Sequence, residues 1–123
     1  MSYKFYNANA RGMFVNDCTI RAISVAEGKT WDETYEELSD IAQYNGIILD
    51  DVNFIEPLLD SRYERVCYNS KYVGEFAEEN PVGVFLITMN GHITCCINGV
   101  IYDTFDCRDR KMWCAWRVVN YKE

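Results

Sequence analysis

"NGHITCCINGVIYD", running from Asn90 to Asp103, is the stretch that decides the fold of this 123-residue chain. It carries two Asn-Gly pairs, Asn90-Gly91 and Asn98-Gly99, each set between apolar runs. That arrangement is a strong hairpin signal, because a type I′ turn needs positive φ at both central positions and Asn-Gly supplies it. The runs "VGVFLITM", "HITCCI" and "VIYDTF" are rich in β-branched and aromatic residues. The stretch therefore predicts a three-stranded antiparallel meander, and "MWCAWRVVNY" supplies a fourth strand.

A two-residue turn also fixes the register. With Asn98-Gly99 as the loop, Ile97 pairs with Val100, Thr94 faces Asp103, and His92 faces Phe105. Strand side chains alternate, so His92, Thr94 and Cys96 share a face with Ile101, Asp103 and Phe105. His92, the only histidine of the chain, becomes a diagonal neighbour of Asp103. Such diagonals place Cβ atoms roughly 7 Å apart, close enough for an imidazole–carboxylate hydrogen bond. A bulge between the strands would reverse the parity. An aspartate so placed fixes the tautomer of a histidine and supports its imidazolium.

The first half has a different period. "NDCTIRAISVAEGK" reads as a helix with Asn16 or Asp17 as N-cap and Gly28 at C′. Ile20, Ala22, Ile23 and Ala26 form its apolar stripe. "TWDETYEELSDIAQYNG" is a second helix, opened by a Thr30/Glu33 capping box and closed at Asn45-Gly46. Trp31, Tyr35, Leu38, Ile41 and Ala42 lie on one of its faces, and "DETYEEL" is a solvated one. A shorter helix follows at "NFIEPLLDSR", with Pro57 expected in its first turn. "ERVCY" reads as a short strand, and "GEFAEEN" as one or two helical turns stopped by Pro81. The first thirteen residues read as mostly irregular. The expected class is α+β, one domain over 1–123, with a helical part at about 16–80 and an antiparallel sheet at about 82–121.

Composition narrows the function classes. Twelve basic and 19 acidic residues give a net charge of −7, which disfavours nucleic acid and anionic membranes as partners. No apolar run approaches the roughly 20 residues of a membrane span, and "MSYKFYNANARG" is too polar for a secretory signal. A cytoplasmic protein is expected. Its six cysteines are then reduced thiols. The only close pair, Cys95-Cys96, points to opposite strand faces, so no metal site is expected.

Cys18 stands apart from the other thiols. It opens a helix, where unpaired N–H groups and the macrodipole favour a thiolate. Cys95, Cys96 and Cys114 read as small sheet residues. A nucleophile, a base and an orienting carboxylate are thus available in Cys18, His92 and Asp103. The plain alternatives are a buried small residue, an exposed histidine and a bend-capping aspartate. In "RDRK", Arg108, Arg110 and Lys111 are either a solvated loop or a contact for an acidic substrate or partner. Trp113 and Trp116 read as core or interface aromatics.

"NDCTIRAIS" around Cys18, "GHITCCINGVIYDTFD" around His92 and Asp103, and the trailing "WCAWRV" resemble papain-like cysteine peptidases, most closely small bacterial and phage-type members. Residues 30–80 match only as helical filling. The resemblance implies a papain-like fold, with Cys18 as nucleophile, His92 as proton acceptor and donor, and Asp103 orienting His92. It implies an acyl-enzyme, a peptide or protein substrate, no metal or cofactor, and a host cytoplasm if the chain is phage-encoded. Members of the family carry a Gln a few residues before the Cys to help bind the oxyanion. Here "NANARGMFVND" has none, and the only Gln is Gln43. Asn7, Asn9 and Asn16 are the amide candidates for that role. Two other functions fit the same residues: a weak or inactive binding protein, as a phage or host interaction factor, and an acyltransferase or amidase.

Overall fold

The Asn98-Gly99 loop takes the expected shape, with φ of 50° at Asn98 and 80° at Gly99. The structure is a computed structural model and describes residues 3–48 and 52–119. The elements are β1 (Tyr3–Phe5), α1 (Cys18–Glu27), α2 (Trp31–Asn45), α3 (Val52–Arg62), β2 (Glu64–Arg65), α4 (Val73–Glu79), β3 (Val84–Met89), β4 (His92–Ile97), β5 (Val100–Asp103) and β6 (Met112–Arg117). The architecture is α+β: four helices and a six-stranded mixed sheet in the order β1-β5-β4-β3-β6-β2.

The meander β3-β4-β5 has the expected register. Ile97 pairs with Val100, Cys96 with Ile101 and Cys95 with Tyr102, with no bulge between them. Met89 pairs with His92 across Asn90-Gly91. This second loop is not a type I′ turn, because positive φ is confined to Gly91; a glycine in the second position supplies the whole left-handed bend. The fourth strand, β6, pairs with β3; its expected end at Asn120 and Tyr121 lies outside the described residues.

Both faces of the sheet are covered, so β3 is buried along its whole length. On one face Ile20, Ile23 and Ala26 of α1, Leu38 of α2 and Leu59 of α3 pack on Leu86, Ile93, Cys95 and Trp116. On the other, Val73, Phe76 and Ala77 of α4 pack on Phe85, Ile87, Cys96 and Ile101. The α1 stripe is buried as patterned, and Gly28 and Gly46 close α1 and α2 in the left-handed conformation. The Thr30/Glu33 capping box is formed.

Four expectations need correction. The sheet is mixed rather than wholly antiparallel: the N-terminal stretch is mostly irregular, as expected, but Tyr3–Phe5 form β1, which runs parallel to β5. Pro57 sits at the sixth residue of α3, not in its first turn. The helix tolerates the missing N–H because Phe54, Leu58 and Leu59 on either side are anchored in the core. Only Leu38 and Ala42 of the apolar α2 face are buried, while Tyr35 is exposed. "ERVCY" contributes only Glu64 and Arg65 to the sheet.

The β4–β5 turn is predicted to be the least replaceable loop. A Cβ on Gly99 would lie 3.3 Å from the Ala77 carbonyl oxygen and 3.5 Å from Pro81 Cα, at a φ of +80°. Gly12, at a φ of +68°, has nothing within 4 Å. Gly99→Ala should cost about 1–3 kcal/mol of backbone strain, plus the contact. In urea unfolding it should exceed the cost of Gly12→Ala; equal costs would show that the turn does not pack on α4.

Candidate active site

Three elements end at one edge of the fold. β4 begins with His92, its antiparallel neighbour β5 ends with Asp103, and α1 begins with Cys18. The register gives the diagonal pair: His92 Nε2 lies 2.7 Å from Asp103 Oδ2. Thr94 Oγ1 donates to the same oxygen at 2.6 Å. The other oxygen, Oδ1, accepts from the Thr104 amide at 2.7 Å and from Arg21 Nη1 at 3.0 Å. Asp103 therefore caps the bend after β5 and also holds the imidazole. With Nε2 facing the carboxylate, Nδ1 is the ring nitrogen left for Cys18, whose thiol interacts with the His92 side chain and the Ile93 backbone. Phe105 lies against the imidazole, with ring centroids 4.7 Å apart, as the register required.

The electrostatics separate Cys18 from the other thiols. Burial alone would raise its pKa, but hydrogen bonds with His92 and the Ile93 amide, with the charges of His92 and Arg21, bring it below the ordinary thiol value. Burial would lower His92, yet its bonds to Asp103 and Cys18 lift it to about 9. Asp103 is held below the carboxylate range, against burial, by His92 and Thr94. The thiol is shifted down and the imidazole up, the two directions that favour a thiolate beside an imidazolium. Burial pushes Cys95 far up, Cys96 to about 11 and Cys107 to about 12. Those thiols stay protonated and unreactive.

Cys18 and His92 open onto a cleft of about 620 Å³. Its walls are Ile20, Trp31, Tyr35, Ile55, Ile93 and Trp113, among others, and among the described residues no Lys or Arg lines it. Trp31 and Tyr35 stack at 5.1 Å. Trp116 is a core residue, as expected, but Trp113 is 54 % exposed on the rim of the cleft.

The other sequence candidates divide. Asn16 lines the cleft. Asn7 and Asn9 do not: Asn7 accepts from the Asn9 amide and donates to the Met13 carbonyl, and Asn9 accepts from the Arg11 amide and donates to Asp17. Both amides order the loop before α1. Asp17 is the N-cap residue but makes no side-chain cap; its carboxylate is taken by Arg21, Trp31 and Asn9. Arg108 pairs with Asp106, Arg110 lies over Phe105, and Lys111 bridges to Tyr72. None of these three basic residues lines the cleft. Arg21 and Thr94 are the polar partners that the sequence reading did not single out as site residues. The i,i+4 spacing of Asp17 and Arg21 was the available signal for the first.

His92, Asp103 and Cys107 place three donor atoms within 4.8 Å of one another. The set does not suit a cation. The Arg21 guanidinium stands 3.0 Å from Asp103, Thr94 and His92 share the other carboxylate oxygen, and the Cys107 thiol is protonated. Compared with protein-family models, curated proteins and solved structures, the chain finds no match in any of the three. Among the described residues, no helix is long and apolar enough to cross a membrane.

The geometry predicts selective labelling. At neutral pH, iodoacetamide should alkylate Cys18 ahead of the exposed Cys67, as read by site-resolved mass spectrometry. His92→Ala should carry the Cys18 labelling midpoint back up toward that of an ordinary thiol. Equal rates at Cys18 and Cys67 in the wild type would show that the thiol is not activated.

Proposed function

We propose that this chain is a thiol hydrolase, a papain-like cysteine peptidase or isopeptidase, working through Cys18, His92 and Asp103. The observation that carries the reading is the His92 Nε2–Asp103 Oδ2 bond of 2.7 Å, with His92 electrostatically coupled to Cys18 and both lining one cleft. In this reading the Cys18 thiolate attacks a carbonyl carbon and the carbonyl oxygen takes the negative charge. The Cys18 amide at the α1 N-terminus and the Asn16 side chain are the donors proposed for that oxyanion. His92 gives its proton to the leaving amine as the carbon–nitrogen bond breaks. A water then attacks the thioester, His92 takes the proton of the water, and the carboxylic acid leaves Cys18 free. Asp103 stays ionised throughout and supports the imidazolium.

The walls suggest the substrate. An apolar cleft whose described lining holds Asp17 and Glu56 but no Lys or Arg favours an uncharged or basic peptide segment with apolar side chains next to the scissile bond. Arg108, Arg110 and Lys111 lie away from it, so an acidic substrate gains no contact from them there.

A weakly active or inactive binding protein is the second reading. It is favoured by the commitment of Asn7 and Asn9 to the loop, which leaves Asn16 as the side-chain amide on the cleft.

Fluorogenic peptides with apolar and with acidic residues next to the scissile bond separate these readings. The hydrolase reading expects turnover of the apolar set, lost in Cys18→Ala with the fold retained. It expects a bell-shaped pH profile: activity appears as Cys18 ionises below the ordinary thiol value and disappears as His92 loses its proton near pH 9. Asn16→Ala should lower the rate by roughly 100-fold if its amide holds the oxyanion. No turnover of either set, with apolar peptides still bound in the Cys18→Ala chain, would favour the binding protein.

A further inference from the structure

Arg21 is tied to both sides of the site by one planar group. Its Nε donates to Asp17 Oδ1 at 2.7 Å, and its Nη1 donates to Asp103 Oδ1 at 3.0 Å and to Thr104 Oγ1 at 3.2 Å. The three side chains are nearly enclosed: 12 % exposed for Arg21, 4 % for Asp17 and 2 % for Asp103. Asp17 immediately precedes Cys18, and its other oxygen accepts from Trp31 Nε1 at 2.9 Å and Asn9 Nδ2 at 3.4 Å. Asp103 uses its other oxygen for His92 and Thr94. One guanidinium thus joins the start of the helix that carries the thiol to the end of the strand that carries the orienting carboxylate.

We propose that Arg21 is the positioning residue of this site: its fork locks the α1 N-terminus against Asp103, selects which Asp103 oxygen faces His92, and offsets the Asp17 charge beside Cys18. The proposal rests on the thiol-hydrolase reading. Three physical points support it. A carboxylate next to a nucleophilic sulfur opposes thiolate formation, and the repulsion is strong where water is scarce. Asp17 is buried and directly precedes Cys18 in the chain, so a buried cation is needed to offset it. Arg21 occupies Asp103 Oδ1 and thereby leaves Oδ2 for the imidazole, which sets the tilt of the ring toward Cys18. Finally, the two carboxylates meet different nitrogens of the fork, an arrangement that the point charge of a lysine cannot copy.

The charged and titratable groups around Arg21 are Asp17 at the N-cap of α1 and Asp103 on β5. Behind Asp103 stand His92 on β4, Cys107 in the following loop and the Tyr3 hydroxyl on β1. The test measures the rate of Cys18 alkylation by iodoacetamide against pH, by site-resolved mass spectrometry on the full chain, together with a thermal melt of each variant. Arg21→Met should move the labelling midpoint up, at about tenfold in neutral-pH rate for each unit moved. Arg21→Lys should recover part of that loss. Asp17→Asn should move the midpoint down, and Asp17→Asn with Arg21→Met should return it toward the wild type.

A purely structural Arg21 would lower the melting temperature and leave all four midpoints at the wild-type value, which overturns the proposal. If Arg21→Met does not fold, Asp17→Asn and Arg21→Lys decide: a downward shift in the first and an upward one in the second support the role, and no shift removes it. A wild-type Cys18 that labels no faster than Cys67 would overturn the hydrolase reading and this role with it. An activated Cys18 whose midpoint ignores Arg21 would overturn this role alone.

Discussion

The Asp103 carboxylate is the group on which the site depends. It is 3 % exposed, and a buried charge is tolerated only when its lone pairs are met by donors. Here four nitrogen and oxygen donors meet it, His92 and Thr94 on one oxygen and Arg21 and the Thr104 amide on the other, and the Cys107 thiol adds a long contact to the first. Those donors come from β4, from α1 and from the residue after β5. Satisfying a single carboxylate therefore fixes the relative placement of three elements. Thr94 and His92 reach it because the Asn98-Gly99 turn sets the β4–β5 register, and Arg21 reaches it because α1 packs on the sheet through Ile20, Ile23 and Ala26.

This dependence explains which parts were legible in the sequence. His92 and Asp103 are eleven residues apart, joined by a turn whose length dictates the pairing. A local rule was enough to put them on one face. The helices were legible for the same reason: Thr30 and Glu33 are three apart, and the α1 stripe repeats every three or four residues. Arg21 and Asp103 are 82 residues apart, and Tyr3 meets the Asp103 carbonyl across 100. No local pattern announces such contacts. β1 is a three-residue edge strand whose pairing exists only because β5 offers it a free side. Its short "YKF" run carries too little alternation to predict. Trp31 and Tyr35 misled for a related reason. Their spacing marks an apolar helix face, but spacing cannot tell a core from the wall of a cleft.

Burial acts on the thiols in two directions, and the outcome turns on partners rather than depth. Cys95, Cys96 and Cys107 are fully enclosed, and their pKa values rise. Cys107 lies 3.8 Å from Asp103, so the carboxylate that helps His92 suppresses that thiol. Cys18 is partly buried too, yet its pKa falls, because it faces the imidazole that Asp103 has charged rather than Asp103 itself. Inserting one ring between carboxylate and sulfur reverses the sign of the carboxylate's effect. Asp17 threatens to undo this, since it places a second carboxylate one residue from the sulfur. Arg21 answers both acids at once. The proposed nucleophile thus stands at the end of an alternation of charge: Asp17, Arg21, Asp103 and His92, each bonded to the next, with Cys18 coupled to His92. In such a chain the sign at the sulfur is set by the number of links, which is why an arginine far from His92 and Asp103 in the sequence belongs with them in space.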